Sequence, residues 1–116
     1  MSASGWIGVD LDGTLATYDE WRGADHVGDP IKPMVDRVKR WVADGRNVRI
    51  FTARVSVDPG GVALAAIGIW CQKHLGRVLP VTCVKDYQML ELWDDRAVQV
   101  EMNTGELIGR STRGIE

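Results

Sequence analysis

The sequence predicts one α/β domain built around a mainly parallel sheet. Short apolar runs that are typical of buried strands alternate with two segments of helical periodicity, and this alternation favours parallel βαβ units. The chain has 116 residues, of which 45% are hydrophobic and 26% are charged, as expected for a globular protein. We therefore treat residues 1–116 as one domain, with a loose tail at residues 110–116.

The first half of the chain predicts a strand, a loop, a helix and a second strand, in that order. Residues 6–9 form an apolar run that ends at a turn, which predicts the first strand. Residues 16–32 are polar and irregular, and we expect them to form a flap-like loop. Apolar residues recur at helical spacing from Pro33, and Gly45 suits the end of that helix. Residues 47–52 then predict the second strand.

The second half predicts a helix, two further strands and a hairpin. Residues 62–75 are rich in apolar side chains and predict the second helix, which Gly76 ends. Residues 80–84 and 89–93 predict the third and fourth strands. The Asn-Thr-Gly segment at residues 103–105 suits the turn of a small β-hairpin. Together the elements predict a Rossmann-like, three-layer domain.

Charge, cysteines and hydropathy indicate the setting of the protein. Fourteen basic residues nearly balance sixteen acidic ones, and the net charge of −2 weakly disfavours a free-standing nucleic-acid-binding protein. Cys71 and Cys83 lie in apolar contexts without metal-site spacing, so we expect reduced thiols. No apolar run approaches the ~20 residues of a membrane-spanning helix, and the N-terminus does not resemble a signal peptide. We therefore expect a cytoplasmic protein without a membrane partner.

Chemically distinctive side chains follow each predicted strand at its carboxyl end. In strand order they are Asp10 and Asp12, Thr52 and Arg54, Lys85, and Asp94 and Asp95. The carboxyl ends of parallel strands share one edge of the sheet, and ligands of open α/β sheets bind at that edge. The sequence therefore predicts that these groups converge on one site.

Four carboxylates at one edge would repel one another, and a divalent cation relieves that repulsion. Carboxylate oxygens suit a hard ion such as Mg²⁺, which is often bound together with substrate phosphates. Lys85 adds a positive charge and Thr52 a hydroxyl donor, and both suit a phosphate dianion. Gly13 permits a tight turn whose amides can face an anion. An EF-hand is excluded, because its Gly and Glu positions would be Leu15 and Trp21.

Four parts of the sequence resemble the four motifs of the haloacid dehalogenase superfamily of phosphohydrolases. They are Asp10-Leu11-Asp12-Gly13-Thr14, Phe51-Thr52-Ala53-Arg54, Lys85 and Leu92-Trp93-Asp94-Asp95. The resemblance extends over residues 5–100, and the lysine is assigned by position. The fourth motif ends in Asp94-Asp95-Arg96, and this ending is similar to the end of the fourth motif in deoxyribonucleotidases and polynucleotide 3′-phosphatase domains. The resemblance implies an α/β fold and Mg²⁺-dependent hydrolysis of a phosphate ester.

The resemblance also implies a role for each motif residue. Asp10 resembles the nucleophile that attacks phosphorus and forms an aspartyl-phosphate. Asp12 resembles the general acid that protonates the leaving oxygen and then, as a base, activates water. Thr52 and Lys85 resemble the groups that hold the phosphoryl oxygens.

The implied metal site uses residues of the first and fourth motifs. Mg²⁺ would be bound by a carboxylate oxygen of Asp10, the backbone carbonyl of Asp12 and one of the two acidic residues at the fourth motif. We favour Asp95 as the direct ligand and Asp94 as its support. In family members whose fourth motif ends in Gly-Asp, the single Asp aligns with Asp95, the second of the two acidic residues here. The ion would offset the repulsion between Asp10 and an incoming dianion.

Three features outside these roles bear on the substrate. Arg54 can reach a second phosphate or a sugar, or it forms a solvated salt bridge. Trp21, in the flap-like loop, can stack on a base or sugar, or it packs against the rim of the sheet. In the superfamily that the sequence resembles, large cap domains are inserted after the first or the second motif. The intervals 10–52 and 52–85 are too short for such a domain, so we expect an open site. Such a site accepts a large substrate, or a second copy of the chain covers it.

The leading functional hypothesis is a Mg²⁺-dependent phosphatase. Its substrate would be a nucleotide, the terminal phosphate of a nucleic acid, or another small phosphate ester. The alternative is a phosphate- or nucleotide-binding module with little turnover that acts as a partner subunit. A phosphomutase-like transfer is disfavoured, because a site without a cap does not exclude water.

Overall fold

The centre of the molecule is a four-stranded sheet in which every strand pair is parallel. The computed structural model describes residues 5–109, so the predicted tail at 110–116 lies outside the described residues. The sheet has the order β3-β2-β1-β4. Its strands are β1 (Trp6–Asp10), β2 (Val48–Phe51), β3 (Val81–Thr82) and β4 (Met89–Trp93). The predicted α/β class and parallel sheet are confirmed.

Two helices, α1 (Lys32–Ala43) and α2 (Val62–Leu75), pack on the same face of this sheet. Side chains alternate between the two faces along a strand, and the apolar set of β1 and β2 points toward the helices. Ile7, Val9 and Ile50 are at most 1% exposed and share one core with residues of both helices. Within the described residues, neither helix is long and apolar enough to cross a membrane.

The opposite face differs from the three-layer expectation, since no helix of residues 5–109 covers it. Instead, the crossover from β3 to β4, residues 83–88, lies there. The Asp86 carboxylate accepts a hydrogen bond from Trp6 Nε1 at 2.9 Å and lies 3.9 Å from the Arg49 guanidinium. A parallel crossover that includes a helix needs about a dozen residues or more. The interval between β3 and β4 is therefore too short to form a helical layer.

The predicted helices form with the expected ends. Pro33 lies in the first turn of α1, and Gly45, at a φ of +80°, follows its last turn and donates its N–H to Val42 O. The Asp58 carboxylate accepts hydrogen bonds from two N–H groups in the first turn of α2. Gly76 ends α2 at a φ of +83°. A glycine adopts these positive φ values without the strain that a side chain adds.

The third strand and the hairpin are shorter than predicted. β3 stops at Thr82, because its hydroxyl accepts from Val84 N at 3.1 Å and turns the chain away from the sheet. The hairpin has one antiparallel bridge, between Val100 and Leu107, and its turn contains Asn103 at a φ of +70°. The predicted turn is therefore present without two regular strands beside it.

The flap-like loop is attached to the core at its base and along one side. Ala16 and Pro30 form an antiparallel bridge, and Thr17 N donates to Asp29 O at 2.7 Å. Trp70 Nε1, from α2, donates to Gly28 O at 2.8 Å. These bonds hold the loop beside the carboxyl ends of the strands.

Candidate active site

An open pocket of about 540 Å³ lies at the carboxyl ends of β1 and β2, beside the end of β4. Seven of the residues predicted from the sequence line it: Asp10, Asp12, Gly13, Trp21, Thr52, Arg54 and Asp95. The sheet brings them together because β1 pairs with both β2 and β4 in parallel. The predicted convergence at one edge is therefore present for three of the four motifs.

Two carboxylates that line the pocket, those of Asp10 and Asp95, form an acidic cluster with a third carboxylate, that of Asp94. Asp10 ends β1, Asp94 and Asp95 follow β4, and each offers an oxygen within 4.8 Å of the others. Burial, a hydrogen bond with Asp95 and the negative charges of Asp94 and Asp95 together raise the pKa of Asp10 from 3.8 to about 8, and burial is the largest cause. The cluster thus favours a protonated Asp10, and a bound cation would favour the charged form instead.

Thr14 connects two of these carboxylates. Its hydroxyl lies 3.0 Å from Asp95 Oδ1 and 3.4 Å from Asp10 Oδ2, and it accepts a hydrogen bond from Asp95 N at 2.9 Å. Thr14 is part of the first motif, but the sequence predicted no role for it. Its position directly after Gly13 was the available signal, because the same turn that places Gly13 places Thr14 beside the carboxylates.

Gly13 brings the turn close to Asp95. It has a φ of +90°, and a Cβ at this position would lie 2.7 Å from Asp95 Oδ2. Real Cβ atoms do not approach other atoms this closely. A side chain at position 13 would therefore displace the Asp95 carboxylate of the fourth motif from its place beside the first motif. The positive φ agrees with the tight turn predicted at Gly13, and the close approach to the Asp95 carboxylate is a second reason for glycine that the sequence did not predict.

Asp12 and Arg54 form a bidentate ion pair inside the pocket. Arg54 Nε and Nη2 donate to the two Asp12 carboxylate oxygens, each at 2.8 Å. The Arg54 side chain is 6% exposed, so this pair is shielded from solvent, unlike the solvated bridge considered from the sequence. Arg54 Nη1 also donates to His26 O at 2.7 Å, which ties the flap-like loop to the site.

Thr52 is buried where β2 enters the pocket. It is 2% exposed, and its backbone N–H donates to Thr82 O at 2.9 Å. Its hydroxyl accepts a hydrogen bond from Arg54 N at 3.2 Å. A hydroxyl that accepts such a bond keeps its own hydrogen for donation, which is the property predicted for binding a phosphoryl oxygen.

Lys85 does not line this pocket, contrary to the sequence-based prediction. It lies on the crossover 83–88, next to Asp86, whose carboxylate contacts side chains of the opposite sheet face. The prediction required β3 to continue through Val84, and the Thr82 hydroxyl ends the strand earlier. Arg96 is a cation that does line the pocket, and its backbone N–H donates to Asp94 Oδ1 at 2.7 Å.

Two exposed aromatic side chains of the flap-like loop also line the pocket. Trp21 is 58% exposed, and the Arg54 guanidinium lies 5.0 Å from the centroid of its ring. Tyr18 is 45% exposed. Of the two roles considered for Trp21, packing at the sheet rim is observed through its contact with Arg54, which follows β2, while more than half of Trp21 stays exposed. The ring contacts the guanidinium that holds Asp12.

Comparisons with known proteins bear on the fold alone. The sequence matches no family model and no curated protein. It is similar in structure to a protein from Bacteroides thetaiotaomicron, solved as a "conserved protein coded by locus", with a TM-score of 0.57. The two are 20% identical, and the match covers 83% of this chain and 79% of that one. This likeness shows a shared α/β architecture.

Proposed function

We propose that this protein is a Mg²⁺-dependent phosphomonoester hydrolase that works through an aspartyl-phosphate on Asp10. The observation that carries the proposal is that carboxylate oxygens of Asp10, Asp94 and Asp95 lie within 4.8 Å of one another, and that Asp10 and Asp95 line the same pocket as Asp12. Carboxylate oxygens suit Mg²⁺, which binds phosphate substrates through a few protein ligands. Asp10 and Asp95, the Asp12 carbonyl and, in support, Asp94 would hold the ion.

The mechanism assigns one step to each carboxylate. The Asp10 carboxylate attacks phosphorus, and the bond from phosphorus to the leaving oxygen breaks. Protonated Asp12 gives its proton to that oxygen and later takes a proton from the water that attacks the aspartyl-phosphate. Inorganic phosphate leaves and Asp10 is restored. Bound Mg²⁺ would offset the repulsion between Asp10 and the phosphate dianion.

Other residues of the pocket bind and orient the substrate. The Thr52 hydroxyl donates to a phosphoryl oxygen, and Arg96 supplies the positive charge that the sequence assigned to Lys85. Nucleotides, nucleic-acid ends and other small phosphate esters are the candidate substrates. We further propose a cytoplasmic setting, which suits the free thiols of Cys71 and Cys83, and a second copy of the chain as a cover for the open pocket.

A binding module with little turnover is the second candidate, and two observations favour it. Lys85 lies outside the pocket, and both oxygens of Asp12 already accept hydrogen bonds from Arg54. A general acid must carry a proton on one of those oxygens. If Asp12 stays paired with Arg54 in the complex, the pocket binds phosphate and metal without efficient hydrolysis.

The deciding experiment measures hydrolysis of an aryl phosphate and of a panel of alkyl phosphates with Mg²⁺ and with a chelator. We expect turnover that requires Mg²⁺ and falls by roughly 10⁴-fold or more in Asp10→Asn. Asp44→Asn is the matched control, since Asp44 is an exposed carboxylate at the end of α1. Absence of hydrolysis across the panel, together with measurable binding of Mg²⁺ and phosphate, would favour the binding module.

A further inference from the structure

Trp21 is an exposed aromatic side chain that the structure nonetheless holds in one place. Its ring is 58% exposed at the rim of the pocket, and the Arg54 guanidinium lies over it at 5.0 Å from the centroid. A guanidinium over an indole is a favourable cation–π contact. The contact orients the ring while leaving more than half of the side chain's surface accessible to a ligand.

Arg54 is itself fixed by contacts on two sides. Two of its nitrogens donate to Asp12, and a third donates to His26 O at 2.7 Å and to Ala24 O at 3.4 Å. These bonds join the first motif, the second motif and the flap-like loop. The bonds to His26 O and Ala24 O attach Arg54 to the loop that carries Trp21, so Arg54 orients the ring also when Asp12 takes up the proton that the reaction needs.

The chemistry of Asp12 places the leaving group near this ring. In the proposed mechanism Asp12 protonates the leaving oxygen, so the leaving group occupies the side of the pocket where Asp12 and Arg54 lie. The Trp21 ring lies against Arg54, and Tyr18 lines the same pocket. A planar aromatic ring on the leaving group can stack on an indole, and such stacking tolerates different bases.

Size and charge favour a single nucleotide over a nucleic-acid strand. The pocket volume of about 540 Å³ lies within the range of small-ligand sites, roughly 300–1,000 Å³. The flap-like loop carries Asp19, Glu20 and Asp25 in exposed positions, and Arg22, which pairs with Asp19 and Glu20, offsets only part of this negative charge. A strand with many phosphates binds to basic surfaces, so these carboxylates disfavour it.

We propose that Trp21, positioned by Arg54, stacks on the base of a nucleoside monophosphate whose phosphate reacts at Asp10. The inference rests on the proposed function for its reaction step, and its binding step can be tested without turnover. It names the substrate class of the site as a small phosphate ester with a planar ring on the leaving group.

The test compares adenosine 5′-monophosphate with ribose 5-phosphate, two esters that share the leaving oxygen and differ by the base. We expect wild-type kcat/KM to be about 10-fold or more higher for the nucleotide, a typical effect of one stacked base. Trp21→Ala should bring this ratio close to one, and Trp21→Phe should restore most of it. Tyr87→Ala is the control, because Tyr87 is a fully exposed aromatic residue outside the pocket. An unchanged ratio in Trp21→Ala would overturn the proposal.

A binding measurement separates this inference from the proposed function. If neither ester is hydrolysed, the proposed function fails, and calorimetric affinities of the two esters for wild type and Trp21→Ala still test the stacking. Tighter binding of the nucleotide that is lost in Trp21→Ala supports it, and equal affinities contradict it. A 5′-phosphorylated oligonucleotide forms the third arm. If it binds or reacts better than the mononucleotide, the assignment to single nucleotides is wrong.

Discussion

At the scale of single residues, Gly13 determines how closely the two acidic motifs approach. A Cβ there would lie 2.7 Å from Asp95 Oδ2, whereas a Cβ at Gly45 would meet no atom within 4 Å. Both glycines have positive φ, +90° and +80°. Alanine at either position would strain the backbone, whereas only alanine at position 13 would displace the Asp95 carboxylate. Comparing the two variants therefore distinguishes the two effects.

We predict that Gly13→Ala and Gly45→Ala each destabilise the fold by about 1–3 kcal/mol, the usual cost of a side chain at positive φ. Under the proposed function, only Gly13→Ala should also weaken Mg²⁺ binding and lower turnover, because only that Cβ displaces Asp95. Urea unfolding and Mg²⁺ titration measure the two effects. Wild-type affinity for Mg²⁺ in Gly13→Ala would contradict this account of the turn.

Arg54 joins the loop to the site, and its replacement should loosen the loop. In Arg54→Met we expect trypsin to cleave after Arg22 about tenfold faster, as for a loss of ~1.4 kcal/mol of local stability. Arg49→Met is the control, since Arg49 contacts Trp6 and Asp86 on the other sheet face. Equal cleavage rates in both variants would show that the loop does not depend on Arg54.

The sequence predicts those site residues that directly follow a strand. Asp10, Thr52 and Asp95 were predictable because each lies within two residues of a strand end, and strand ends are readable from apolar runs. Lys85 was not, because its place depends on where β3 stops. That point is set by one hydroxyl contact, between Thr82 and Val84, which an apolar run does not reveal.

At the scale of elements, α2 depends on Asp58 for its first turn. The Asp58 carboxylate accepts from Ala63 N at 2.9 Å and from Leu64 N at 3.0 Å. These N–H groups have no partner within the helix, so the carboxylate satisfies two donors and also carries a charge favourable at a helix N-terminus.

We predict that Asp58→Ala destabilises the protein by about 1–2 kcal/mol, as expected for loss of a helix cap. Asp44→Ala removes an equal charge at the end of α1, where a negative charge is unfavourable, and should have little effect. Urea unfolding of the three proteins tests this. Equal stabilities of the two variants would mean that the Asp58 carboxylate contributes neither a cap nor a favourable charge to α2.

The crossover between β3 and β4 shows where prediction of elements has its limit. The bounds of α2 were predicted correctly as residues 62–75, because that stretch is long and rich in apolar side chains and Gly76 ends it. The apolar residues of the crossover, residues 83–88, show no periodic pattern. The crossover is placed on the sheet face by the contacts of Asp86 with Trp6 and Arg49. Contacts between distant parts of the chain decide this part of the fold.

At the scale of the whole molecule, the order of the strands creates the acidic cluster. β1 pairs with β4, although these strands are far apart in sequence, and their carboxyl ends bring Asp10 beside Asp94 and Asp95. The sequence indicated a shared edge without revealing which strands are neighbours. The cluster makes the stability of the whole fold depend on the protonation of Asp10.

This dependence has a definite sign. The pKa of Asp10 is about 8 in the folded protein and 3.8 for the ordinary group, so the folded state binds more protons between these values. Stability should therefore fall as pH rises from about 4 to about 8, and the loss should be complete above that range. The pKa values of three exposed carboxyl groups, Asp19, Asp36 and Asp86, are lowered. These groups therefore change the stability only at more acidic pH, where they take up protons.

We predict that metal-free wild type is less stable at pH 8.5 than at pH 5.5, and that Asp10→Asn, which cannot ionise, lacks most of this difference. Because Asp10 is only half-buried, we expect about 1–2 kcal/mol rather than the full value that the shift implies. If the cluster is the proposed Mg²⁺ site, the ion binds its charged form and should stabilise wild type more at pH 8.5 than at pH 5.5. Urea unfolding of both proteins at the two pH values, with and without Mg²⁺, measures this. If wild type and Asp10→Asn lose the same stability between these pH values, the cluster does not hold a proton on Asp10.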